Sequence, residues 1–225
     1  MACRNTIVYI DGSNLYYGLL RGTAHKWLDL KAFSQKLLLP EYHIAGIKYF
    51  ASRVIDKTAG HYRAGRQSNY LDALHNQGIQ VIEGYYRIRM ERLEAADSHC
   101  KACNLVSRPG YVRGIRVSEK LTDVNVATEM LKDAYENKAE AFVLISGDAD
   151  LAPALRVVRY STGHSVIVFN PQKSICNELR RYATFYRNIS PGFAEGCRLP
   201  DSFTTADGRT IRCPAAWLPP PQKSC

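Results

Sequence analysis

Residues 146–151, Ser-Gly-Asp-Ala-Asp-Leu, set two carboxylates, Asp148 and Asp150, directly after the apolar run 141–145. Asp11 follows the apolar run 7–10 in the same way, and Asp123 falls in the first turn of a predicted helix. Each acid alone has an ordinary explanation. Asp11 before Gly12 suits a turn, Asp150 before Leu-Ala-Pro suits a helix N-cap, and Asp123 suits the positive end of a helix dipole. What the separate explanations leave out is the recurrence of acids where strands end and helices begin, in a chain that is otherwise basic. Carboxylates gathered within a few ångströms repel one another, and the repulsion is relieved by a raised pKa or by a bound cation. Oxygen-only ligands select hard ions such as Mg²⁺ or Mn²⁺. Asp148 is the firmer ligand of its pair, because Asp150 has capping as a competing role.

The elements that must position these acids follow from periodicity. Residues 6–10 read as a strand, with Leu15, Tyr16, Leu19 and Leu20 at helical spacing after it. Residues 28–39 predict a helix closed by Pro40, 44–54 a second strand, 62–77 a helix stopped by Gly78, and 79–86 a third strand. The basic stretch 87–116 lacks a clear period and is expected to be a loop or a protruding hairpin. Thr122 is the expected N-cap of a helix with Val124, Ala127, Met130, Leu131 and Ala134 on one face. Strands at 141–145 and 165–169 alternate with helices at 151–160 and 174–182. This rhythm predicts an α/β fold with a mostly parallel sheet covered on both faces, and functional groups in such a sheet gather beyond the strands' carboxyl ends. Residues 1–189 are expected to form one domain, and 190–225, richer in Pro, Gly and Cys, a C-terminal extension.

With 225 residues and 46% hydrophobic content, the chain can bury a sizeable core. Its 30 Lys and Arg exceed 21 Asp and Glu, a net charge of +9 that suits a polyanionic partner. No apolar run approaches the roughly 20 residues that span a bilayer, so no membrane association and a cytoplasmic location are expected. Seven cysteines, an odd number and mostly scattered, argue against a disulfide framework. Cys100 and Cys103 have the gap of a zinc half-site, with His99 beside them, but no second pair follows. Structural Zn²⁺ is therefore the lesser reading, and two thiols in a loop the blander one. A homo-oligomer is left open.

Three segments, Ile7-Val-Tyr-Ile-Asp-Gly-Ser-Asn-Leu15, Glu119-Lys-Leu-Thr-Asp-Val-Asn-Val-Ala127 and Ser146-Gly-Asp-Ala-Asp-Leu151, together resemble the NYN domain family, a branch of the PIN-like nuclease group. Gln67-Ser-Asn-Tyr-Leu-Asp-Ala-Leu74 and the closing segment from Asp207 to Trp217 resemble the LabA-like form of this domain. The resemblance implies a PIN-like three-layer α/β/α sandwich and a metal-dependent ribonuclease, with Asp11, Asp123, Asp148 and Asp150 as the matching acids. Asn14 matches the family's polar residue after the first acid, and Lys120 its basic residue before the second. Leu121 stands where many members have glycine, and Ala149 where many have serine.

The corresponding chemistry is phosphodiester hydrolysis, with Asn14 orienting a carboxylate or a water and Lys120 contacting a phosphate. Lys120 could instead be a solvated lysine paired with Glu119 or Asp123, and Glu119 is an outer candidate at the site. Arg63, Arg66, Arg87, Arg89 and Arg92, interleaved with Tyr62, Tyr85 and Tyr86, suit phosphates and unpaired bases of single-stranded or looped RNA. The tyrosines serve equally well as packing residues. A catalytically silent RNA-binding or regulatory module is the alternative function. A phosphatase falls behind both, because Ser13 occupies the position where aspartyl-phosphate enzymes carry their second carboxylate.

Overall fold

The computed structural model describes residues 3–54, 63–94, 111–205 and 207–218. A seven-stranded sheet in the order β4-β3-β2-β1-β5-β6-β7 carries the fold. Its strands are β1 (Arg4–Asp11), β2 (Tyr42–Ser52), β3 (Gln80–Glu94), β4 (Tyr111–Lys120), β5 (Ala141–Ile145), β6 (Ser165–Asn170) and β7 (Phe185–Asn188). All neighbours pair in parallel except β3 and β4, which form an antiparallel hairpin. The α/β expectation therefore holds.

β1 and β5 lie side by side at the centre, and their continuous apolar runs are buried on both faces. Because successive side chains point to opposite faces, Val8, Ile10, Val143 and Ile145 enter one core layer while Tyr9, Phe142 and Leu144 enter the other. The first layer includes residues of α1 (Gly12–Leu15), α2 (Leu30–Leu37) and α3 (Arg63–Asn76). The second includes α4 (Thr122–Tyr135), α5 (Ala152–Tyr160) and α6 (Asn177–Tyr182). Helices on both faces make the three layers. Parallel pairing through the centre also puts the ends of β1 and β5, hence Asp11 and the turn carrying Asp148, side by side.

Several boundaries differ from the sequence expectation for identifiable reasons. The stretch expected as a loop or hairpin is a hairpin, with β3 running on to Glu94 and paired from Tyr85↔Lys120 to Glu94↔Tyr111. Both its faces are largely open to solvent, so no apolar period marks it. β7 escaped notice because it is a short edge strand with alternating partial exposure.

The expected N-cap at Thr122 is incorrect. Thr122 is the first helical residue, and its hydroxyl donates to Glu119 Oε1 at 2.7 Å. The preceding Leu121 adopts a left-handed conformation, φ 73°, and so sets the start and the rotation of α4. Val124, expected in the core, is 60% exposed, whereas Val126, Met130, Asp133 and Ala134 are buried. The left-handed backbone at Leu121 explains why glycine suits that position. A Cβ there costs about 1–2 kcal/mol. Leu121→Gly should therefore raise stability by about 1 kcal/mol in a urea melt, the gain being cut by glycine's greater unfolded-state freedom.

Past β7, the chain forms a small hairpin of β8 (Ser202–Thr204) and β9 (Thr210–Arg212). Ile211 and Trp217 join the first core layer, with Trp217 packed against Trp27 and Tyr70 at ring separations of 6.4 and 6.2 Å. Trp27 Nε1 donates to the Pro200 carbonyl at 2.8 Å, fastening this segment to the sheet layer. No helix among the described residues is long and apolar enough to cross a membrane.

Candidate metal centre

Asp11 ends β1 and is fully buried, and four donors hold its carboxylate. Oδ1 accepts from Ser13 Oγ at 3.0 Å and from the Asn14 backbone N–H at 2.9 Å. Oδ2 accepts from Asn14 Nδ2 and from Ser146 Oγ, both at 3.0 Å. Asp11 thus caps α1, as its turn position suggested, while also facing the end of β5. Burial pushes its pKa up against the opposing pull of these hydrogen bonds.

The turn after β5 is bound to the same network. Asn14 Oδ1 accepts from Gly147 N–H at 3.1 Å and from Gln172 Nε2 at 2.9 Å. Asn14 therefore orients both the carboxylate and the turn bearing Asp148. Gly147 is required by close approach, since a Cβ there would collide with the Asn170 side-chain oxygen. Gly12 is equally confined, with the Tyr49 ring and the Phe50 carbonyl in the space a Cβ would need.

One carboxylate oxygen from each of Asp11, Asp123 and Asp148 lies within 4.8 Å of the other two. Three separate elements supply them: the end of β1, the first turn of α4 and the turn after β5. Asp123 has its pKa pushed up to about 6, first by burial and then by the negative charges of Asp148, Asp11, Glu119 and Asp150. Among the described residues, no Lys or Arg makes a salt bridge to these carboxylates. The donor set suits a divalent cation of the Mg²⁺ or Mn²⁺ type, because hard oxygens of like charge are held together with no internal counter-ion. Asp11 can ligate once a donor yields, and the rotatable Ser13 hydroxyl is the least constrained of its four partners.

The capping role expected of Asp150 falls to Asp148. Asp148 Oδ1 accepts from Asp150 N–H at 2.9 Å, so Asp148 caps the short turn at Ala149–Leu151 and belongs to the carboxylate group as well. Asp150 is exposed and stands outside that group, although its charge reaches Asp123. Ser13, Ser146 and Gln172 are the functional neighbours that sequence reasoning missed. Ser13 and Ser146 each lie two residues from an acid, a spacing at which hydroxyls commonly bond a carboxylate or the turn around it.

Lys120 is exposed and shares one face of the β3–β4 hairpin with Arg87, Arg89, Arg116, Ser118 and Glu91, the last paired with Arg116 at 3.3 Å, around a groove of about 260 Å³. It makes no salt bridge with Glu119 or Asp123. Arg92 lies on the opposite face, its guanidinium 4.4 Å from the Tyr111 ring centre. Arg63 and Arg66 instead line a second cavity, of about 550 Å³, together with Tyr86. The basic residues are therefore divided among three places. Cys100, Cys103 and Tyr62 lie outside the described residues.

A mostly parallel sheet between helices, with aspartates from the end of β1, the turn after β5 and the first turn of α4 converging, defines an α/β domain whose acidic crevice is compatible with a divalent metal. The chain belongs to the NYN domain family, whose model matches residues 5–190. NYN domains are typically metal-dependent nucleases. The chain is also 32% identical over 249 aligned residues to 6-hydroxy-3-succinoylpyridine 3-monooxygenase HspA of Pseudomonas putida (strain DSM 28022 / S16), covering 96% of this chain and 76% of that protein. A crystal structure of a protein of unknown function from Vibrio parahaemolyticus RIMD 2210633 superposes with a TM-score of 0.51 at 16% identity. It covers 84% of this chain and 94% of that one, a likeness of fold.

Proposed function

We propose that this protein is a divalent-metal-dependent endoribonuclease acting on single-stranded or looped RNA. The observation that carries the reading is the group of carboxylate oxygens from Asp11, Asp123 and Asp148 within 4.8 Å of one another, in an NYN fold. Mg²⁺ or Mn²⁺ held there supplies a lowered pKa for water and a counter-charge for the phosphate. Asn14 fixes the geometry by holding Asp11 and the Gly147 turn together. Asp150 adds negative charge from outside the group and serves as an outer partner of the ion. On the sequence resemblance of the closing segment Asp207–Trp217 we place the chain with the LabA-like members. We place it in the cytoplasm, which suits the free thiols of Cys3, Cys176, Cys197 and Cys213.

The test is incubation of purified protein with labelled single-stranded RNA and Mn²⁺ or Mg²⁺, with and without a chelator. Metal-dependent cleavage is expected. Tight RNA binding that ignores metal, without cleavage, would instead indicate a silent RNA-binding module.

The basic hairpin face is proposed to track the RNA backbone. Alternate residues of a strand are about 6.8 Å apart, so Arg87 and Arg89 can engage successive phosphates while Lys120 does so nearer the carboxylates. Replacing both arginines with Gln should lower the slope of log K against log salt by about 1.4, from the loss of two single-strand phosphate contacts. A filter-binding series in KCl measures it.

A second reading is favoured by the HspA likeness together with the aromatic cavity beside the carboxylates. It is oxygenation of a small heteroaromatic acid. Inserting one atom of O₂ into a ring C–H bond takes two electrons and two protons to reduce the other atom to water. The assay therefore supplies 6-hydroxy-3-succinoylpyridine, O₂ and a reduced nicotinamide, and looks for a hydroxylated product by mass spectrometry.

A further inference from the structure

The 550 Å³ cavity lies where the turn after β1, the end of β2, the start of α3, the hairpin base and the C-terminal segment meet. Gly12 and Ser13 form part of its wall, and Ser13 donates to Asp11, so the cavity adjoins the carboxylate group. Tyr16, Tyr17, Tyr49, Tyr70, Tyr86 and Trp217 supply six aromatic rings to its lining. Tyr49 and Tyr70 are buried and Tyr70 is fixed by donating to the Leu28 carbonyl at 2.9 Å, so the inner wall is rigid. Tyr16 and Tyr17 are exposed and meet edge to face at 5.2 Å, forming a platform toward solvent.

Charge is distributed unevenly around these rings. Arg21, Lys26, Arg63 and Arg66 line the cavity, against Glu119 as the acid of the wall. Glu119 is engaged by the Thr122 hydroxyl, and none of the four cations makes a salt bridge among the described residues. Apolar and aromatic walls with a few convergent charges, at this volume, are the usual build of a small-molecule site.

We propose that this cavity binds a planar heteroaromatic ring bearing an anionic group, with the ring among the tyrosines and Trp217 and the anion toward Arg63 and Arg66. Two sources share that chemistry: an unpaired nucleotide of RNA and a free heteroaromatic acid. The proposal deepens the function above and rests on it in one respect, since a nucleotide seated there brings its backbone beside Asp11. Binding itself requires no metal. The two ideas can therefore fail separately.

The test is calorimetric titration of the full chain in a chelator with uridine 5′-monophosphate, adenosine 5′-monophosphate and 6-hydroxynicotinate, against ribose 5-phosphate and inorganic phosphate. At least one ring-bearing anion should bind saturably and at least about tenfold more tightly than the ringless anions. Arg66→Gln and Tyr16→Ala, at positions outside the buried core, should each weaken it several-fold with an unchanged thermal melt. Preference for the nucleotides assigns the ring to RNA, and preference for 6-hydroxynicotinate assigns it to a free acid. Equal binding of ring-bearing and ringless anions, no saturable binding, or indifference to both substitutions would overturn the proposal. RNA cleavage that persists unaltered in both variants, alongside such a result, would leave the nuclease reading standing alone. Ring binding without any cleavage would do the reverse.

Discussion

Asp148→Asn should abolish metal-dependent RNA cleavage while leaving the fold in place. The retained side-chain oxygen can still accept from Asp150 N–H, the contact that caps the turn after β5. What disappears is one negative charge from a group of three facing carboxylates. Stabilisation of a developing phosphate charge by a bound cation is worth several kcal/mol, so a loss of at least about 10³-fold, or about 4 kcal/mol, is expected in single-turnover cleavage with Mn²⁺. RNA binding should change little, because the cations proposed to hold RNA lie on the hairpin and at the cavity. Equal cleavage by the two proteins would identify a contaminating nuclease as the source of the activity.

The largest stability effect is expected at Asp133, toward the other end of α4 from Asp123. Its fully buried carboxylate accepts from Tyr9 Oη at 2.6 Å and pairs with Lys48 Nζ at 2.5 Å and Lys138 Nζ at 3.1 Å. Lys48 is itself only 11% exposed. Removing the acid leaves the buried Tyr9 hydroxyl without its partner and the Lys48 ammonium with only Glu129, at 2.6 Å, so Asp133→Ala should cost about 3 kcal/mol in urea unfolding. Burial alone would raise the Asp133 pKa, but hydrogen bonds from Lys48, Tyr9 and Lys138 outweigh it and hold the group below the ordinary carboxylate value. A depressed folded pKa contributes stability above the unfolded value of about 4 and loses it as pH falls through the folded one. Wild-type stability should therefore decline below about pH 4, with a shallower decline in Asp133→Asn.

The central strands were legible because continuous apolar runs encode buried parallel strands, which placed Asp11 at the end of one and Asp148 in the turn after the other, whereas Asp123 was legible only as an acid in the first turn of a helix. Asp11 and Asp148 needed only that parallel topology to meet, while Asp123 also needed the start of α4 after the hairpin. Which of Asp148 and Asp150 capped the following turn was not legible, since both lie at positions where a carboxylate can bond a nearby N–H. The outcome depended on a short turn preceding α5. The extent of the hairpin strands escaped pattern reading because both faces are open to solvent, and on α4 the expected face packs on the core at Ala127, Met130, Leu131 and Ala134 but not at Val124, in the first turn after the left-handed Leu121. The aromatic cavity was illegible for a different reason. Its walls come from five separate segments, and only Arg63, Arg66 and Tyr86 among its lining residues were singled out as RNA-contacting candidates.

Calorimetric titration of Mn²⁺ into metal-free protein tests the central claim most directly. Saturable binding is predicted, weakened at least about tenfold by Asp11→Asn, by Asp123→Asn and by Asp148→Asn, because each removes a hard anionic oxygen from the set. Asp29→Asn, a conservative change at the cap of α2, should leave it unaltered. Mn²⁺ binding indifferent to all three carboxylate substitutions, or no saturable binding at all, would contradict the assignment of this crevice as the metal centre.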